Sequence, residues 1–320
     1  MTIDKKIIVV FGATGKQGGG VAQTLLHDPV ALAKFQVHAV TRDPSKPAAL
    51  ALAEQGAELV KADLEDKDSL RLALKNAYGV FVLTNFMESF DAAAETRQGK
   101  NIADIVKELD VKHLVWSSLP HVSKLSNNKF TNVVHFDGKA YVDEYIRSLS
   151  IPYTIVHVAI YTSVVWESLA PLPTTPPSYG LFFPQPGSLQ TTIPLIDPSL
   201  DLGKFVKGIL LNPEASLGKQ YNVGERFYTV EEIVGVAKKF GVEIVFQAVD
   251  KDTYKAGLAS KGMPDFFQED LAQMIQFLAE YGFYGGGGID DAKKLLTDPL
   301  TTLEESFKAN ADFAALKKAQ

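Results

Sequence analysis

The segment Ile7-Ile8-Val9-Val10-Phe11-Gly12-Ala13-Thr14-Gly15-Lys16-Gln17-Gly18 joins an uninterrupted apolar run to a glycine-rich turn. Its first five residues are typical of a strand that is buried on both faces. Gly12, Gly15 and Gly18 follow at three-residue intervals. That spacing provides a tight turn, close approach of the backbone to a pyrophosphate, and close packing of a helix on the strand. The segment therefore predicts a dinucleotide site on a helix N-terminus; the alternative is a tight turn that binds no ligand.

The first half of the chain alternates short apolar strands with amphipathic helices. We predict strands at 7–11, 35–41, 58–61, 79–84, 113–117 and 153–158, and helices at 17–27, 44–55, 67–76, 92–109 and 137–147. Right-handed crossovers between such strands give an α/β fold with a doubly wound parallel Rossmann sheet, in which ligands bind at the carboxyl ends of the strands. We expect an NAD(P)-binding Rossmann domain over residues 1–160.

The second half of the chain has a different texture. Two proline-rich stretches, 171–177 and 184–187, predict a long irregular segment, which is either a connector or the wall of a substrate cleft. Helices are expected at 202–211, 230–240 and 265–281, and the four glycines at 285–288 predict a flexible loop. We expect residues 161–320 to form a smaller C-terminal α/β lobe for a substrate or a partner, with some strands rejoining the Rossmann sheet.

Composition limits the classes of function. The 320 residues carry a net charge of −6 and no cysteine. This acidity argues against a nucleic-acid partner, and the missing cysteines exclude disulfides and thiolate chemistry. No uncharged apolar run reaches the roughly 18 residues that span a bilayer, and the N-terminus lacks a signal-peptide pattern. We expect no membrane attachment, no metal site and a cytoplasmic location, with the nucleus as a second location.

The end of the second predicted strand indicates which dinucleotide binds. NAD-specific sites usually place a carboxylate there to hold the ribose 2′-hydroxyl. Here Arg42 comes before Asp43, and a guanidinium can stack on adenine and pair with a 2′-phosphate. Lys46 adds a second positive charge nearby. We therefore expect NADP(H) rather than NAD; the alternative is that Asp43 binds the ribose while Arg42 faces solvent.

Two further strand ends carry candidate cofactor contacts. Asp63 and Leu64 follow the third strand and are placed to meet the adenine edge. Thr84, Asn85 and Phe86 follow the fourth strand and would lie along the nicotinamide ribose. Both stretches could also be ordinary strand-end caps.

The catalytic pattern of short-chain dehydrogenases is only partly present. These enzymes pair a tyrosine acid with a lysine four residues later, and add a serine after strand five. Lys139 and Ser117 fill the lysine and serine positions, but His135 stands four residues before Lys139. An imidazole can act as an acid near neutral pH, and His135 could equally be a polar residue in a loop. The cofactor machinery is complete and the reductase machinery is not.

Several motifs together resemble those of one known family. They are 8–19, 40–44, Leu83-Thr84-Asn85-Phe86-Met87-Glu88-Ser89, Arg97-Gln98-Gly99-Lys100 and His135-Phe136-Asp137-Gly138-Lys139. This set is similar to the NmrA-like family of atypical short-chain dehydrogenases, particularly its HSCARG-type NADPH sensors, over residues 5–165 and more loosely beyond. The resemblance implies a Rossmann domain with a smaller lobe, NADP(H) binding, and a redox sensor that regulates partner proteins and often lacks demonstrated dehydrogenase activity.

The motifs and the resemblance define the candidate site residues. Cofactor contacts are expected from Gly12, Thr14, Gly15, Lys16, Gln17, Gly18, Arg42, Lys46, Asp63, Leu64, Thr84, Asn85, Phe86, Arg97, Lys139, Ala159, Ile160 and Tyr161. Candidate catalytic residues are Lys139, His135 and Ser117.

Three functions are compatible with these candidates. The first is an NADP(H)-binding sensor or regulator with little or no turnover. The second is an NADPH-dependent oxidoreductase that reduces a small apolar carbonyl or enone, with Tyr161, Trp166, Phe182 and Phe183 lining its pocket or simply forming core. The third, a scaffold that no longer binds nucleotide, fits least because Arg42 and the glycines are present. We expect a monomer or a homodimer.

Overall fold

The computed structural model describes residues 5–309 together with residues 313 and 316. Its first half contains, in chain order, β1 (Lys6–Val10), α1 (Lys16–His27), α2 (Pro29–Lys34), β2 (Phe35–Thr41), α3 (Pro47–Glu54), β3 (Glu58–Lys61), α4 (Lys67–Ala73), β4 (Gly79–Val82), α5 (Phe86–Ser89), α6 (Ala92–Glu108), β5 (His113–Ser118), α7 (Val122–Leu125), α8 (Val134–Ser148) and β6 (Tyr153–Val158).

The second half continues with shorter strands and further helices. They are β7 (Ile160–Tyr161), α9 (Thr162–Glu167), β8 (Ala170–Leu172), β9 (Ser178–Pro184), β10 (Thr192–Ile196), α10 (Leu202–Leu211), α11 (Pro213–Ser216), β11 (Lys219–Val223), β12 (Arg226–Thr229), α12 (Val230–Lys239), β13 (Ile244–Val249), α13 (Lys251–Ser260), α14 (Asp265–Tyr281), α15 (Asp290–Lys293) and α16 (Leu303–Ala309). No helix within the described residues is long and apolar enough to cross a membrane.

A seven-stranded parallel sheet forms the centre of the molecule. Its strand order is β11-β6-β5-β4-β1-β2-β3. Val10 of β1 pairs with Ala39 of β2 on one side and with Phe81 of β4 on the other. The strand order therefore reverses between β1 and β4, and a doubly wound sheet opens a crevice at that point. The glycine turn that follows β1 lies at this crevice.

The sequence of β1 explains why the sheet is covered on both faces. Side chains alternate across a strand, so neighbouring residues enter opposite layers. Ile8 and Val10 pack into one hydrophobic core with α1, whereas Val9 and Phe11 pack into a second core with α4 and α6. An apolar run without alternation is thus what a strand between two helical layers requires.

Glycines bring the second half of the chain against the first helix. A Cβ on Gly203 of α10 would lie 2.1 Å from the Oγ1 of Thr24 and 2.3 Å from the carbonyl oxygen of Gly20 in α1. Neither contact leaves room for a methyl group, so α10 and α1 pack at backbone distance. β11 also extends the central sheet, with Val223 opposite Val158 of β6.

The proline-rich segment is more regular than we expected. The prediction of an irregular stretch at 171–177 and 184–187 is wrong in part, because β8 and β9 run through it and form a three-stranded sheet of order β13-β9-β8. Proline cannot donate a backbone hydrogen bond, but an edge strand does not need every donor. Pro171 lies in the edge strand β8, and Pro184 is the last residue of β9.

Two helix boundaries differ from the prediction in ways that affect the site. The third helix begins at Pro47 rather than 44, because Asp43 Oδ1 accepts hydrogen bonds from the backbone N and the hydroxyl of Ser45 and so forms a turn. The helix predicted at 137–147 begins at Val134. His135 therefore lies in the first turn of α8, and its interpretation as a polar loop residue is wrong.

Candidate functional site

The glycine turn has the geometry that a bound pyrophosphate requires. Gly12 has φ +62°, and the N–H of Gly15 donates to its carbonyl oxygen at 2.8 Å. A Cβ on Gly18 would lie 2.3 Å from the carbonyl oxygen of Phe11, so only glycine lets α1 pack this closely on β1. Among the described residues no side chain caps the N-terminus of α1, and its first turn contains no acid. The exposed N–H groups of that turn can therefore bind an anion.

Three predicted site residues meet behind the glycine turn. The Ser117 hydroxyl donates to Gln17 Oε1 at 2.6 Å, and Gln17 Nε2 donates to the Tyr161 hydroxyl oxygen at 2.5 Å. Burial raises the pKa of Tyr161. Ile160 and Tyr161 form β7, directly after the buried Ala159. The structure thus brings the end of β5 and the short strand β7 against the first turn of α1.

Lys16 points away from that cluster and joins the first helix to α9. Its Nζ donates to the Ser163 hydroxyl at 2.9 Å and forms an ion pair with Glu167 at 3.0 Å. Thr14, immediately before the helix, is exposed at the mouth of the turn.

Arg42 forms an ion pair with a carboxylate that is not among the predicted site residues. Its Nη1 and Nη2 atoms lie 2.9 Å from the two carboxylate oxygens of Glu88 in α5. The side chain of Arg42 is 65% exposed and that of Glu88 is 47% exposed. Asn85 Nδ2 also donates to Glu88 Oε1 at 3.3 Å. The end of β2 and the segment after β4 are therefore linked by a solvent-exposed, bidentate ion pair.

The remaining candidates on the adenine side have hydrogen-bond or ion-pair partners within the protein, apart from Lys46. Asp63 Oδ1 accepts from the backbone N of Glu65 at 2.9 Å, and the Leu64 carbonyl accepts from Asn101 at 3.0 Å. Arg97 forms a bidentate pair with Glu65 at 2.9 and 3.0 Å. Lys46 is exposed and precedes α3 as its N-cap residue.

Lys139 belongs to a buried polar cluster with Thr84 and Glu95. Its Nζ donates to the Thr84 carbonyl at 3.2 Å and hydroxyl at 3.0 Å, and it forms an ion pair with Glu95. Burial lowers the pKa of Lys139, and the charge of Glu95 opposes that shift. Glu95 was missed by sequence reasoning. The available signal was its position on the apolar stripe of α6, four residues before Gly99 and seven before Ile102.

His135 is held by a fully buried carboxylate from α14. Asp270 Oδ2 accepts from the backbone N of His135 at 3.1 Å, and Asp270 Oδ1 pairs with the imidazole Nδ1. Within the described part of the chain no hydrogen bond reaches Nε2 of His135. Asp270 was also missed; it occupies an apolar position of its helix, three residues after the buried Phe267.

Four phenylalanines, which we call the aromatic cluster, pack on one another and reach the His135 ring through two of their members. They are Phe86, Phe90, Phe266 and Phe267. The ring centroids of Phe86 and Phe267 lie 5.9 and 5.8 Å from that of His135, and Phe90 lies 5.2 Å from Phe267. Phe90 and Phe266 are exposed. The predicted pocket aromatics Trp166 and Phe183 instead pack in the core, against Phe307 and Phe246.

Comparison with known proteins shows which family this arrangement belongs to. The model of the NmrA-like family matches residues 4–307 of this chain. The chain belongs to the NmrA-like family. An NmrA-like family domain-containing oxidoreductase of Aspergillus hancockii is 32% identical over 247 residues, which are 73% of this chain and 72% of the relative. The family predicted from the sequence motifs is confirmed.

Two solved structures share the NmrA-like fold. NmrA, a negative transcriptional regulator in complex with NADP, matches with a TM-score of 0.75 at 19% identity and covers 99% of this chain and 98% of its own. A Citrobacter sp. triphenylmethane reductase complexed with NADP(H) matches with a TM-score of 0.73 at 23% identity, over 95% of this chain and 99% of the reductase. Both likenesses confirm the predicted α/β Rossmann architecture of this NmrA-like chain.

Proposed function

We propose that this NmrA-like chain binds NADP(H) across the carboxyl edge of its sheet. The observation that carries the proposal is the exposed guanidinium of Arg42 at the end of β2, where an NAD site would present a carboxylate. A guanidinium there can form charge-assisted hydrogen bonds to a 2′-phosphate. The NmrA and triphenylmethane reductase structures were solved with NADP or NADP(H), which supports the same ligand class here.

The glycine turn fits the pyrophosphate of such a ligand. Gly12 has a positive φ, and a Cβ there would lie 2.7 Å from Leu83 Cδ2. A side chain at this position would therefore collide with Leu83, and the positive φ also favours glycine. The N–H groups of α1 would hold the pyrophosphate, and Lys139, beside Thr84, would face the nicotinamide ribose.

We further propose that the chain acts mainly as an NADP(H)-dependent regulator with little turnover. The usual tyrosine acid is replaced by His135. The phenol of Tyr161, which accepts a hydrogen bond from Gln17, has a raised pKa because it is buried, so it is a poor proton donor. In addition, Arg42 and Lys139 are each paired with an internal carboxylate. Cofactor groups that approach these cations must compete with Glu88 and Glu95. Cofactor binding would therefore be coupled to a local rearrangement of these side chains.

His135 and Asp270 support a second function, the NADPH-dependent reduction of an apolar carbonyl or enone. Bound NADPH would supply the hydride. His135 Nε2 would donate a proton to a substrate oxygen, and the Asp270 carboxylate on Nδ1 orients the ring. The exposed rings of Phe90 and Phe266 offer an apolar wall for such a substrate.

One set of measurements separates the two functions. Calorimetric titration with NADPH, NADP⁺ and NADH establishes cofactor binding, and NADPH oxidation is followed against quinones, aldehydes and enones. A regulator binds NADPH tightly and oxidises it no faster with substrates than without them. A reductase shows substrate-dependent oxidation that His135→Ala abolishes while NADPH binding persists. Failure to bind any dinucleotide would contradict both functions.

A further inference from the structure

Glu88 occupies the donors of Arg42 that a 2′-phosphate would use. Its two carboxylate oxygens each lie 2.9 Å from a terminal nitrogen of the Arg42 guanidinium, so both terminal nitrogens already donate to Glu88. We propose that Glu88 is an intramolecular competitor for the 2′-phosphate, and that it sets the affinity difference between NADP(H) and NAD(H). This inference rests on the proposed binding of NADP(H).

The fold holds Glu88 in place for this contact. Glu88 lies in α5, the short helix that follows β4, and α5 begins with Asn85 as its N-cap residue. The Asn85 side chain accepts from the backbone N of Met87 at 3.2 Å and donates to Glu88 Oε1 at 3.3 Å. The carboxylate is therefore presented by a capped turn at the carboxyl edge of the sheet, the same edge at which β2 delivers Arg42.

Charge makes the competition selective for one cofactor class. A phosphate monoester carries about −1.5 to −2 charges at neutral pH and accepts bidentate hydrogen bonds as a carboxylate does. It must displace Glu88 from Arg42, or else share the guanidinium with a second anion that repels it. The 2′-hydroxyl of NAD(H) is neutral and requires no displacement. Glu88 therefore lowers the affinity for NADP(H) without a matching effect on NAD(H).

The exposure of both side chains to solvent lets another anion replace Glu88 on Arg42. The Arg42 and Glu88 side chains are 65% and 47% exposed, and ion pairs this exposed are weak. A dianionic phosphate can therefore replace the carboxylate. We expect Glu88→Gln, which keeps the shape and removes the charge, to tighten NADPH binding by about threefold to tenfold, from the loss of one surface ion pair and of one repulsive charge.

The chain offers a matched control at the opposite edge of the sheet. Glu108, the last residue of α6, forms a bidentate pair with Arg71 at 2.7 and 3.0 Å, and these side chains are 45% and 42% exposed. Glu108→Gln makes the same change in net charge and breaks an equivalent pair away from the glycine turn. Any general effect of surface charge on nucleotide binding is common to both variants.

The test is calorimetric titration of the full chain with NADPH and with NADH. We compare the wild type, Glu88→Gln, Glu108→Gln, Arg42→Ala and the Arg42→Ala/Glu88→Gln double variant, after thermal unfolding has shown that each is folded. The expected result is tighter NADPH binding by Glu88→Gln alone, unchanged NADH binding, and a smaller gain from Glu88→Gln in the Arg42→Ala background than in the wild type.

Four outcomes would overturn the inference. An unchanged NADPH affinity in Glu88→Gln, or an equal gain for NADH, would show that Glu88 does not compete for the 2′-phosphate, while NADP(H) binding itself would stand. An equal gain in Glu108→Gln would show a general charge effect. If the wild type binds neither nucleotide, the proposed function fails and the inference fails with it.

Discussion

Asp270 binds His135 at two points, with one carboxylate oxygen on the backbone N at 3.1 Å and the other on the imidazole Nδ1. These residues lie 135 positions apart in the sequence, and the contact joins α14 of the second half to the first turn of α8. Because Asp270 is fully buried, both oxygens depend on these donors for compensation. The contact therefore fixes the position and the ring orientation of His135 together.

Asp270→Asn tests whether this contact serves chemistry. The amide keeps the shape but removes the negative charge that faces the imidazole Nδ1. For any carbonyl that the wild type reduces, we expect kcat to fall by about a hundredfold, the lower end of the range for general acid catalysis. The Kd for NADPH should be unchanged. Glu269→Gln is the control, since Glu269 lies beside Asp270 on α14 but forms ion pairs with Lys251 and Lys255 of α13. Equal loss of turnover in both variants would refute a role specific to Asp270.

Glu95 compensates the buried charge of Lys139, so its removal should destabilise the fold. Breaking one member of a buried ion pair typically costs about 3–5 kcal/mol. We expect Glu95→Gln to lower the free energy of unfolding by an amount in this range, measured by urea denaturation at neutral pH. In the Glu95→Gln/Lys139→Met double variant the loss should be smaller than the sum of the two single losses.

The pH dependence of the Glu95→Gln loss provides an independent check. Burial lowers the pKa of Lys139 below the ordinary value of 10.5, against the opposing charge of Glu95. The unfolded state then binds more protons than the folded state between the lowered pKa and 10.5, so stability rises with pH in that window. Without Glu95 the pKa falls further. The loss in Glu95→Gln should therefore be largest at neutral pH and shrink toward pH 10.5; a constant loss would contradict a charged Lys139.

Gly203→Ala tests the close packing of α10 on α1. The added methyl would meet Thr24 Oγ1 at 2.1 Å and the Gly20 carbonyl at 2.3 Å, and overpacking of this kind costs about 1–3 kcal/mol. Gly235→Ala is the control, because Gly235 lies in α12 and its Cβ would meet nothing within 4 Å. A helical alanine should stabilise the protein there by roughly 0.5–1 kcal/mol. Similar effects of both variants in urea denaturation would disprove the close contact.

The Rossmann half was predictable because its strands are apolar on both faces. β2, β3 and β6 begin and end at the predicted residues, since short apolar runs bounded by polar residues leave little ambiguity. β11 was not predicted. Its sequence, Lys-Gln-Tyr-Asn-Val, is largely exposed or half-buried, and it joins the sheet as an edge strand through backbone pairing that leaves no hydrophobic pattern. The domain division at residue 160 stays a prediction.

The candidate site was predictable only where it is local. Three glycines in twelve residues and an arginine at a strand end are visible without a fold. Glu88 and Glu95 are separated from Arg42 and Lys139 by 46 and 44 residues. Glu88 lies in α5 and Glu95 in α6, the two helices that follow β4. Only the strand order of the sheet brings α5 beside Arg42 and α6 beside Lys139. A partner residue that only the tertiary structure brings close leaves at most a weak signal in the sequence, such as a charged residue on an apolar helix stripe.

The most direct test of the central claim is the calorimetric Kd for NADPH and NADH on the wild type and on Arg42→Ala. We expect the wild type to bind NADPH more tightly than NADH. Arg42→Ala should weaken NADPH binding by about 1–3 kcal/mol, the range for a lost charge-assisted contact, and leave NADH binding nearly unchanged. Tighter binding of NADH by the wild type, or equal weakening of both nucleotides by Arg42→Ala, would contradict the assignment of this site to NADP(H).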